Sequence, residues 1–359
     1  MTKIESLTCD RLSVPLHTPF VTALRRTTTV DTVVVRVTDS DGVTGWGEAP
    51  QVWQVTGESL AGAEACLLGP LRSAVVGADA DDLQPLLTAV AGAVVGNLGA
   101  KAAADVALHD LTARRRGLSL PVLLGSTRHR VRTDVTLAAG DADGLAATAS
   151  SRVAEGFDVL KLKVGTDAGT DVSRVGAVRA AVGPDVRIRL DANQGWTPRE
   201  AVRVIGALED AGLEVELVEQ PVPAADLDGL AWVTERVATP VMADESVFGV
   251  RDLVEVVRRR AADLVNVKLA KCGGLAPART LLELARAHGV GTVVGSMMES
   301  HIGVGAAASL VAAHGTSTDS DLDAAWWAAE PPVAGGLRYD GSTVVLPEAP
   351  GLGIEDLRR

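Results

Sequence analysis

Short apolar runs that each end in a polar residue recur along this chain at the spacing of one strand plus one helix. The first five polar residues are separated by 24 to 28 residues, and the last follows after 53, about two further units. Parallel strands joined by helices bring their carboxyl ends to one face, which in a (β/α) barrel is the mouth that carries the active site. The polar residues are Lys163, Asp191, Glu219, Asp244, Lys268 and Asp321. The pattern therefore predicts one site that contains carboxylates and lysines.

Three zones are predicted along the chain. Residues 1–125 combine a hairpin, turning at Asp41-Gly42, with helices, the clearest over 98–111, and form an α+β module. Residues 126–325 alternate strand and helix, with eight strand candidates from Thr133–Leu137 onwards, which predicts an α/β barrel of the TIM type. Residues 326–359 form a tail with a second hairpin signal and are expected to return to the first module.

Charge and cysteine content exclude several classes of partner. A net charge of −12 argues against binding to nucleic acid or to an anionic membrane surface. Three cysteines without any CxxC spacing indicate reduced thiols, and no apolar run approaches the ~18 residues that a membrane span needs. We expect a cytoplasmic protein that acts on a small molecule.

Asp191, Glu219 and Asp244 end three consecutive predicted strands and offer three hard oxygen ligands. Carboxylates without cysteine or histidine favour Mg²⁺, with Mn²⁺ as a possible substitute, over zinc. The alternative is that each acid only caps the helix that follows its strand. Three such acids on neighbouring strands favour the metal site.

The lysines suggest acid/base chemistry. Lys161 and Lys163 lie two residues apart and share a strand face, so that one ammonium is expected to lower the pKa of the other. Lys268 follows after three intervening strands and can approach a bound substrate from the opposite side. A lone lysine at a strand end is usually solvated, but three in one mouth beside an acidic triad favour a function.

Five motifs together resemble the enolase superfamily, in particular its muconate-lactonizing-enzyme subgroup. They are Lys161-Leu-Lys163, Asp191-Ala-Asn193, Glu219-Gln-Pro221, Ala243-Asp-Glu-Ser246 and Asn266-Val-Lys268. The resemblance extends to Gly45-Trp-Gly-Glu48 and to Pro350–Ile354, and implies an α+β cap over a modified (β/α)₇β barrel. It further implies that Asp191, Glu219 and Asp244 hold Mg²⁺, that Lys163 and Lys268 are the two acid/base groups, and that Lys161 supports the substrate carboxylate.

The chemistry implied by this resemblance is removal of a proton α to a metal-bound carboxylate, through an enediolate. Two bases on opposite faces allow one to remove the proton and the other to return one, which inverts the stereocentre. The same apparatus serves cycloisomerases and N-acylamino-acid racemases, so that the barrel motifs leave the substrate open. The family habit implies a homo-oligomer, a dimer or an octamer.

The end of the last predicted strand narrows the substrate class. Asp321 and Asp323 fall on one face of Asp319–Asp323, where two carboxylates suit a substrate ammonium group. The pair resembles the dipeptide epimerases, above all those of the L-Ala-D/L-Glu type, as do Met297–Ser300 and Thr22–Arg25. The alternative for the acidic pair is a solvated turn.

Further substrate contacts are expected from Arg25, Thr136, Met298 and Glu299. In the Ala-Glu epimerases an arginine at the position of Arg25 meets the γ-carboxylate of glutamate. Arg26 competes for that role, Glu299 is equally suited to capping a helix, and Trp326 and Trp327 are expected either to line a larger pocket or to pack the cap on the barrel.

Other classes of function remain open at this point. They are an N-acylamino-acid racemase or muconate-type cycloisomerase, a Schiff-base aldolase, and a catalytically silent barrel. An aldolase would have no use for the acidic triad, and a silent barrel would not need both lysines.

Overall fold

The computed structural model describes residues 1–22 and 26–358 of the chain. The strands are β1 (Ile4–Val21), β2 (Arg26–Asp39), β3 (Thr44–Pro50), β4 (Arg130–Arg132), β5 (Val135–Leu137), β6 (Val159–Lys163), β7 (Arg187–Asp191), β8 (Val215–Glu219), β9 (Val241–Ala243), β10 (Leu264–Lys268), β11 (Gly291–Gly295), β12 (Val333–Gly335), β13 (Arg338–Asp340), β14 (Thr343–Val345) and β15 (Ile354–Leu357). The helices are α1 (Leu60–Cys66), α2 (Arg72–Val75), α3 (Leu83–Gly92), α4 (Leu98–Arg115), α5 (Leu120–Leu123), α6 (Ala142–Ala154), α7 (Asp171–Val182), α8 (Pro198–Asp210), α9 (Leu227–Thr234), α10 (Val250–Arg259), α11 (Leu269–Cys272), α12 (Leu275–Ala287) and α13 (His301–His314). A π-helical turn at Leu67–Leu71 and a 3₁₀ turn at Ala324–Trp327 complete them.

The N-terminal module is a three-stranded antiparallel sheet, β1-β2-β3, covered by α4. The predicted hairpin at Asp41-Gly42 and the predicted helix from Leu98 are confirmed. Gly45 and Gly47 let β3 lie directly on α4, because a Cβ at Gly47 would stand 1.9 Å from the Ala103 carbonyl oxygen.

Strands β5 to β11 form a parallel sheet in chain order. Residues 320 and 321 close it into a barrel, since Ser320 bridges to Thr133 beside β5 and Asp321 bridges to Gly295 on β11. Along β6, Leu160 and Leu162 pack into the apolar core, whereas Lys161 pairs with carboxylates of other barrel strands. The predicted (β/α)₇β fold class is confirmed. Within the described residues no helix combines the length and the hydropathy of a membrane span.

The C-terminal segment contacts both preceding zones. Its predicted hairpin is formed by β13 and β14, and β14 also pairs with β4. Asp110 on α4 accepts hydrogen bonds from the backbone N–H of Leu352 at 2.5 Å and of Trp46 at 2.8 Å. The proposed boundaries at residues 125 and 325 stay predictions.

Carboxylates of the N-terminal module cap two barrel helices at the ends that face the mouth. Glu48 on β3 accepts hydrogen bonds from the backbone N–H of Ser300 at 2.7 Å and of Gly303 at 3.0 Å, at the start of α13. Asp105 on α4 accepts one from Leu275 N–H at 2.6 Å, at the start of α12. A Cβ at Gly274 would stand 2.4 Å from the Asp105 carboxyl carbon, which explains the glycine there.

Candidate active site

The predicted residues converge on one cavity at the mouth of the barrel. The cavity has about 610 Å³ of empty space, counting the part that is open to solvent. Eight residues singled out from the sequence line it: Thr136, Lys161, Lys163, Asp244, Lys268, Met298, Asp321 and Asp323. Asp191 and Glu219 are fully buried and reach this lining through Lys161.

Lys161 is the centre of the charged network. Its ammonium nitrogen lies 3.0 Å from Asp191 Oδ2, 2.5 Å from Glu219 Oε2 and 2.8 Å from Asp321 Oδ2. Because its side chain is only 3% exposed, these carboxylates take the place of solvent around the charge. Lys161 therefore joins the predicted metal ligands to the acidic pair at the end of the last strand.

Lys163 and Lys268 stand on opposite walls of the barrel. They end β6 and β10, the second and sixth of eight strands. Lys163 Nζ lies 2.5 Å from Asp191 Oδ2, and Lys268 Nζ lies 2.8 Å from Asp244 Oδ2. Both ammonium groups line the cavity, so that a substrate between them would meet one on each side.

The lysines and carboxylates shift one another's pKa. Burial opposes the ammonium form of Lys161, but the charges of Asp191, Asp321 and Glu219 hold its pKa well above its usual range. In Lys268 burial is likewise outweighed, chiefly by Asp244, and the pKa is raised. The ammonium of Lys161 acts to lower the pKa of Lys268, as the clustering of lysines predicts, but the carboxylates outweigh it.

Asp191, Glu219 and Asp244 supply a donor set that fits a divalent cation with a preference for oxygen. Burial and then the neighbouring charge of Asp191 raise the pKa of Glu219 to about 8. Glu219 Oε2 lacks a hydrogen bond of suitable angle within the described part of the chain, although Lys161 Nζ is close. A metal ion bound by these residues would offset the electrostatic repulsion between the carboxylates around Glu219.

A second group of carboxylates lies beside the first. Oxygen atoms of Asp134, Asp321 and Asp323 all fall within 4.8 Å of one another, which is also a spacing that a metal could use. Asp134 is already paired with Arg189 at 3.0 Å, and Asp321 with Lys161. Asp191 and Glu219 of the predicted triad end β7 and β8, and Asp244 follows β9 directly. That the predicted triad holds the metal stays a prediction.

Asp323 is held by two N–H donors. Its Oδ2 atom accepts hydrogen bonds from Thr136 N–H at 2.7 Å and from the indole N–H of Trp327 at 2.9 Å. Burial, and then the charge of Asp321, raise the pKa of the Asp323 carboxyl. A positively charged group in the cavity would favour its ionised form.

The N-terminal module covers one side of the cavity. Phe20, Thr22 and Val55 belong to its lining, together with Trp327. Phe20 packs edge-on against Trp327 with ring centroids 5.1 Å apart. Both roles considered for the tryptophans are therefore found in Trp327, which lines the pocket and packs the module on the barrel.

One predicted substrate contact, Glu299, is not among the described lining residues of the cavity. Glu299 is buried, and its Oε1 accepts a hydrogen bond from Met297 N–H at 2.8 Å. Arg25 lies outside the described residues, and Arg26, which begins β2, is exposed. Contact of Arg25, Thr136, Met298 or Glu299 with substrate stays a prediction.

The sequence analysis does not include Lys271, and it assigns no role to Asn266, which it names only as part of the motif Asn266-Val-Lys268. Lys271 Nζ lies 2.5 Å from Asp244 Oδ1 and is 1% exposed, and Asn266 donates a hydrogen bond to Glu219 Oε1 at 2.9 Å. Both therefore orient predicted metal ligands. The signals were present, since Asn266 shares a strand face with Lys268 and Lys271 follows one helical turn later.

Residues 4–125 match the mandelate racemase/muconate lactonizing enzyme N-terminal domain family, and residues 144–357 match the enolase C-terminal domain-like family. The L-Ala-D/L-Glu epimerase of Bacillus subtilis (strain 168) is 43% identical over 353 residues, which cover 98% of this chain and 96% of that protein.

Two solved structures are similar over nearly the whole chain. A substrate-liganded complex of the Bacillus subtilis L-Ala-D/L-Glu epimerase has a TM-score of 0.97, 43% identity, and coverage of 99% of this chain and 100% of that one. The dipeptide epimerase of Enterococcus faecalis V583, complexed with Mg and the dipeptide L-Leu-L-Tyr, has a TM-score of 0.94, 38% identity, and coverage of 98% and 99%.

Proposed function

We infer the function of this chain from its family: it belongs to the mandelate racemase/muconate lactonizing enzyme family of the enolase superfamily and is an isomerase of the racemase or epimerase type. We propose that it is a Mg²⁺-dependent dipeptide epimerase of the L-Ala-D/L-Glu type. The observation that carries the proposal is the pair Asp321 and Asp323, which lines the same cavity as Lys163 and Lys268. A dipeptide is a small substrate with a free ammonium group at one end and an epimerisable carbon beside the carboxylate at the other.

Lys163 and Lys268 carry the proton transfers in this proposal. One, in its neutral form, takes the α-proton of the C-terminal residue, and the C–H electron pair stays on the substrate. The other, as an ammonium, delivers a proton to the opposite face of the same carbon. Their positions on opposite barrel walls support this arrangement, which inverts the centre and leaves the two lysines with exchanged protonation states.

Asp191, Glu219 and Asp244 would hold one Mg²⁺ per subunit, with Mn²⁺ as a substitute of similar ligand preference. When bound, the cation would neutralise negative charge that develops on the substrate carboxylate. Lys161 would hold the same carboxylate in place. Lys271 and Asn266 would keep Asp244 and Glu219 oriented.

Asp321 and Asp323 would accept hydrogen bonds from the substrate ammonium. Thr136, Met298 and Glu299 would contribute to the surrounding pocket, and Arg25 would meet the γ-carboxylate of a C-terminal glutamate, as the family resemblance implies. We expect the enzyme to work in the cytoplasm as a dimer or octamer, without nucleic acid or membrane partners, and light scattering would measure the assembly.

An N-acylamino-acid racemase or a muconate-type cycloisomerase is the alternative within the family. The substrate of either carries a second carboxylate or a neutral acyl group where a dipeptide has its ammonium. Two buried carboxylates at that place favour the ammonium, since like charges repel strongly in a desolvated pocket.

Proton exchange in D₂O tests the proposal. The protein with Mg²⁺ is incubated with L-Ala-L-Glu, with other L,L-dipeptides and with an N-succinylamino acid, and loss of the α-proton signal is followed by NMR. We expect exchange and epimerisation of the dipeptides. Exchange of the N-succinylamino acid alone would contradict the proposal.

A further inference from the structure

Among the described residues, one oxygen of the Asp323 carboxylate accepts two hydrogen bonds and the other accepts none. Thr136 N–H and the Trp327 indole N–H both donate to Oδ2, and no hydrogen bond from the described residues reaches Oδ1. The two donors fix the plane of the carboxylate and leave Oδ1 available to a ligand in the cavity. Thr136 contributes through its backbone, so that Trp327 is the side chain on which this orientation depends.

The ring of Trp327 is fixed by the N-terminal module. It stacks on His17, with ring centroids 5.3 Å apart and planes at 11°, and meets the edge of Phe20. Both partners belong to β1. The backbone reinforces the contact, because Ala329 N–H donates to the Pro15 carbonyl oxygen at 2.8 Å. Trp327 is 3% exposed and has little freedom to turn away from Asp323.

We propose that Trp327 is a positioning residue for recognition of the substrate ammonium. It orients the carboxylate of Asp323, which would bind the ammonium, and its own position depends on how β1 packs on the barrel. The inference rests on the proposed dipeptide substrate and adds to it a residue of the segment that follows the last barrel strand. It assigns the module a part in binding the amino end of the substrate, through His17 and Phe20.

The variant Trp327→Phe tests the indole N–H separately from the aromatic ring. Phenylalanine preserves an aromatic ring against His17 and Phe20 but leaves Asp323 Oδ2 with one donor instead of two. A hydrogen bond to a charged acceptor is strong, so that its loss weakens the orientation of the carboxylate and its charge. The α-carbon and the two lysines are unaffected by this change.

The experiment compares two ligands that differ only in the amino group. L-Ala-L-Glu is the substrate, and N-propionyl-L-glutamate, which lacks the ammonium, is used as a competitive inhibitor of its epimerisation. In Trp327→Phe we expect the KM for L-Ala-L-Glu to rise about tenfold, with kcat within about threefold and the inhibition constant of N-propionyl-L-glutamate unchanged. A purely structural defect of the pocket would weaken both ligands together.

Trp326→Phe is the matched control. Trp326 precedes Trp327 and meets its ring edge-on, with centroids 5.5 Å apart. It also contacts His17 and Phe157, contacts that phenylalanine can keep, and it is not among the described lining residues of the cavity. Its substitution should leave both the KM and the inhibition constant unchanged, and thermal melts would verify that both variants are folded.

The outcomes separate the inference from the proposed function. An unchanged KM in Trp327→Phe, or an equal loss for both ligands, would overturn the role of Trp327 while wild-type epimerisation still supported the function. If wild-type protein with Mg²⁺ did not exchange the α-proton of L-Ala-L-Glu or any other dipeptide, the proposed function would fail, and the inference with it.

Discussion

Two acidic clusters share the barrel mouth, and they are built differently. The metal cluster (Asp191, Glu219, Asp244) is countered by lysines of β6 and β10 and by Lys271, which follows β10 directly. The amine cluster (Asp134, Asp321, Asp323) is held by Lys161, by Arg189 and by N–H donors of Thr136 and Trp327. The ion pairs of the first cluster come from the barrel, whereas the second cluster also receives a hydrogen bond from Trp327, in the segment that packs against β1.

The two clusters would have different roles in the proposed reaction, which agrees with this difference. The metal cluster would serve the proton-transfer step, and its ion pairs come from the barrel. The amine cluster would serve the choice of substrate, and its geometry is completed by Trp327, which lies outside the βα repeat.

The largest effect is expected from either lysine of the proposed proton transfer. Lys163→Ala or Lys268→Ala should lower dipeptide epimerisation by about 10²–10⁴-fold, the usual contribution of a general acid or base. The rates are measured by α-proton exchange, and Mg²⁺ binding is checked by calorimetry. Lys3→Ala, near the N-terminus, is the control. A loss below tenfold in both variants would remove the two-lysine mechanism.

Glu219→Gln should weaken Mg²⁺ binding by at least about tenfold, since it removes a charged ligand and keeps the shape of the side chain. The Asn266 hydrogen bond can still be accepted by the amide oxygen, so we expect the variant to fold. Isothermal titration with MgCl₂ measures the affinity. Equal affinity in the variant and the wild type would place the metal elsewhere, with the amine cluster as the next candidate.

Asp321→Asn changes the amine cluster, whereas Glu219→Gln changes the metal cluster. We expect the KM for dipeptides to rise about 10-fold to 100-fold, because a buried charge partner of the ammonium is lost, while the Mg²⁺ affinity changes by less than about threefold. Asp319→Asn, two residues earlier and paired with Arg187 below the cavity, is the matched control. Collapse of metal affinity in Asp321→Asn would show that the two clusters act as one.

Glu299, which belongs to neither cluster, isolates the effect of burial. Burial, and then the charge of Glu48, raise its pKa from 4.5 to about 8, so that the folded protein keeps a proton that the unfolded chain releases. Protonated Glu299 makes its full contribution to the free energy of unfolding below about pH 4.5, and this contribution is lost as the pH rises to about 8. Glu299→Gln should therefore gain roughly 2–5 °C in Tm over wild type between pH 5 and pH 8.

The measurement is a series of thermal melts from pH 5 to pH 9, with the exposed Glu355→Gln as control. The same pH dependence in Glu299→Gln and wild type would mean that Glu299 is ionised in the folded protein. In that case, a contact with a cation or with substrate would have to be sought for it.

The sequence was informative where a residue's place follows from local periodicity. Lys163, Asp191 and Glu219 each end a strand of a regular repeat, so that counting along the chain was enough to bring them together. Asp321 follows two units further on, and Asp323 shares its strand face, which predicts both at the mouth that they line. The strand limits were less accurate, since the first barrel strand begins at Val135 rather than Thr133.

Contacts between distant segments could not be read in this way. The stack of His17 on Trp327 joins positions more than 300 residues apart and depends on how the N-terminal module sits on a closed barrel. Glu48 belongs to the motif Gly45-Trp-Gly-Glu48, yet its role as a cap of α13 follows only from the tertiary arrangement. The direction of the pKa shift at Lys161 likewise depended on which carboxylates surround it.

The caps supplied by Glu48 and Asp105 have a consequence for domain exchange. At the N-terminal ends of α12 and α13, which face the barrel mouth, backbone N–H groups donate to side chains of the N-terminal module. A barrel expressed alone, or grafted beneath the N-terminal module of a relative, would leave the backbone N–H groups of Leu275, Ser300 and Gly303 without these acceptors. Swaps between family members should therefore keep these two carboxylates together with the helices that they complete.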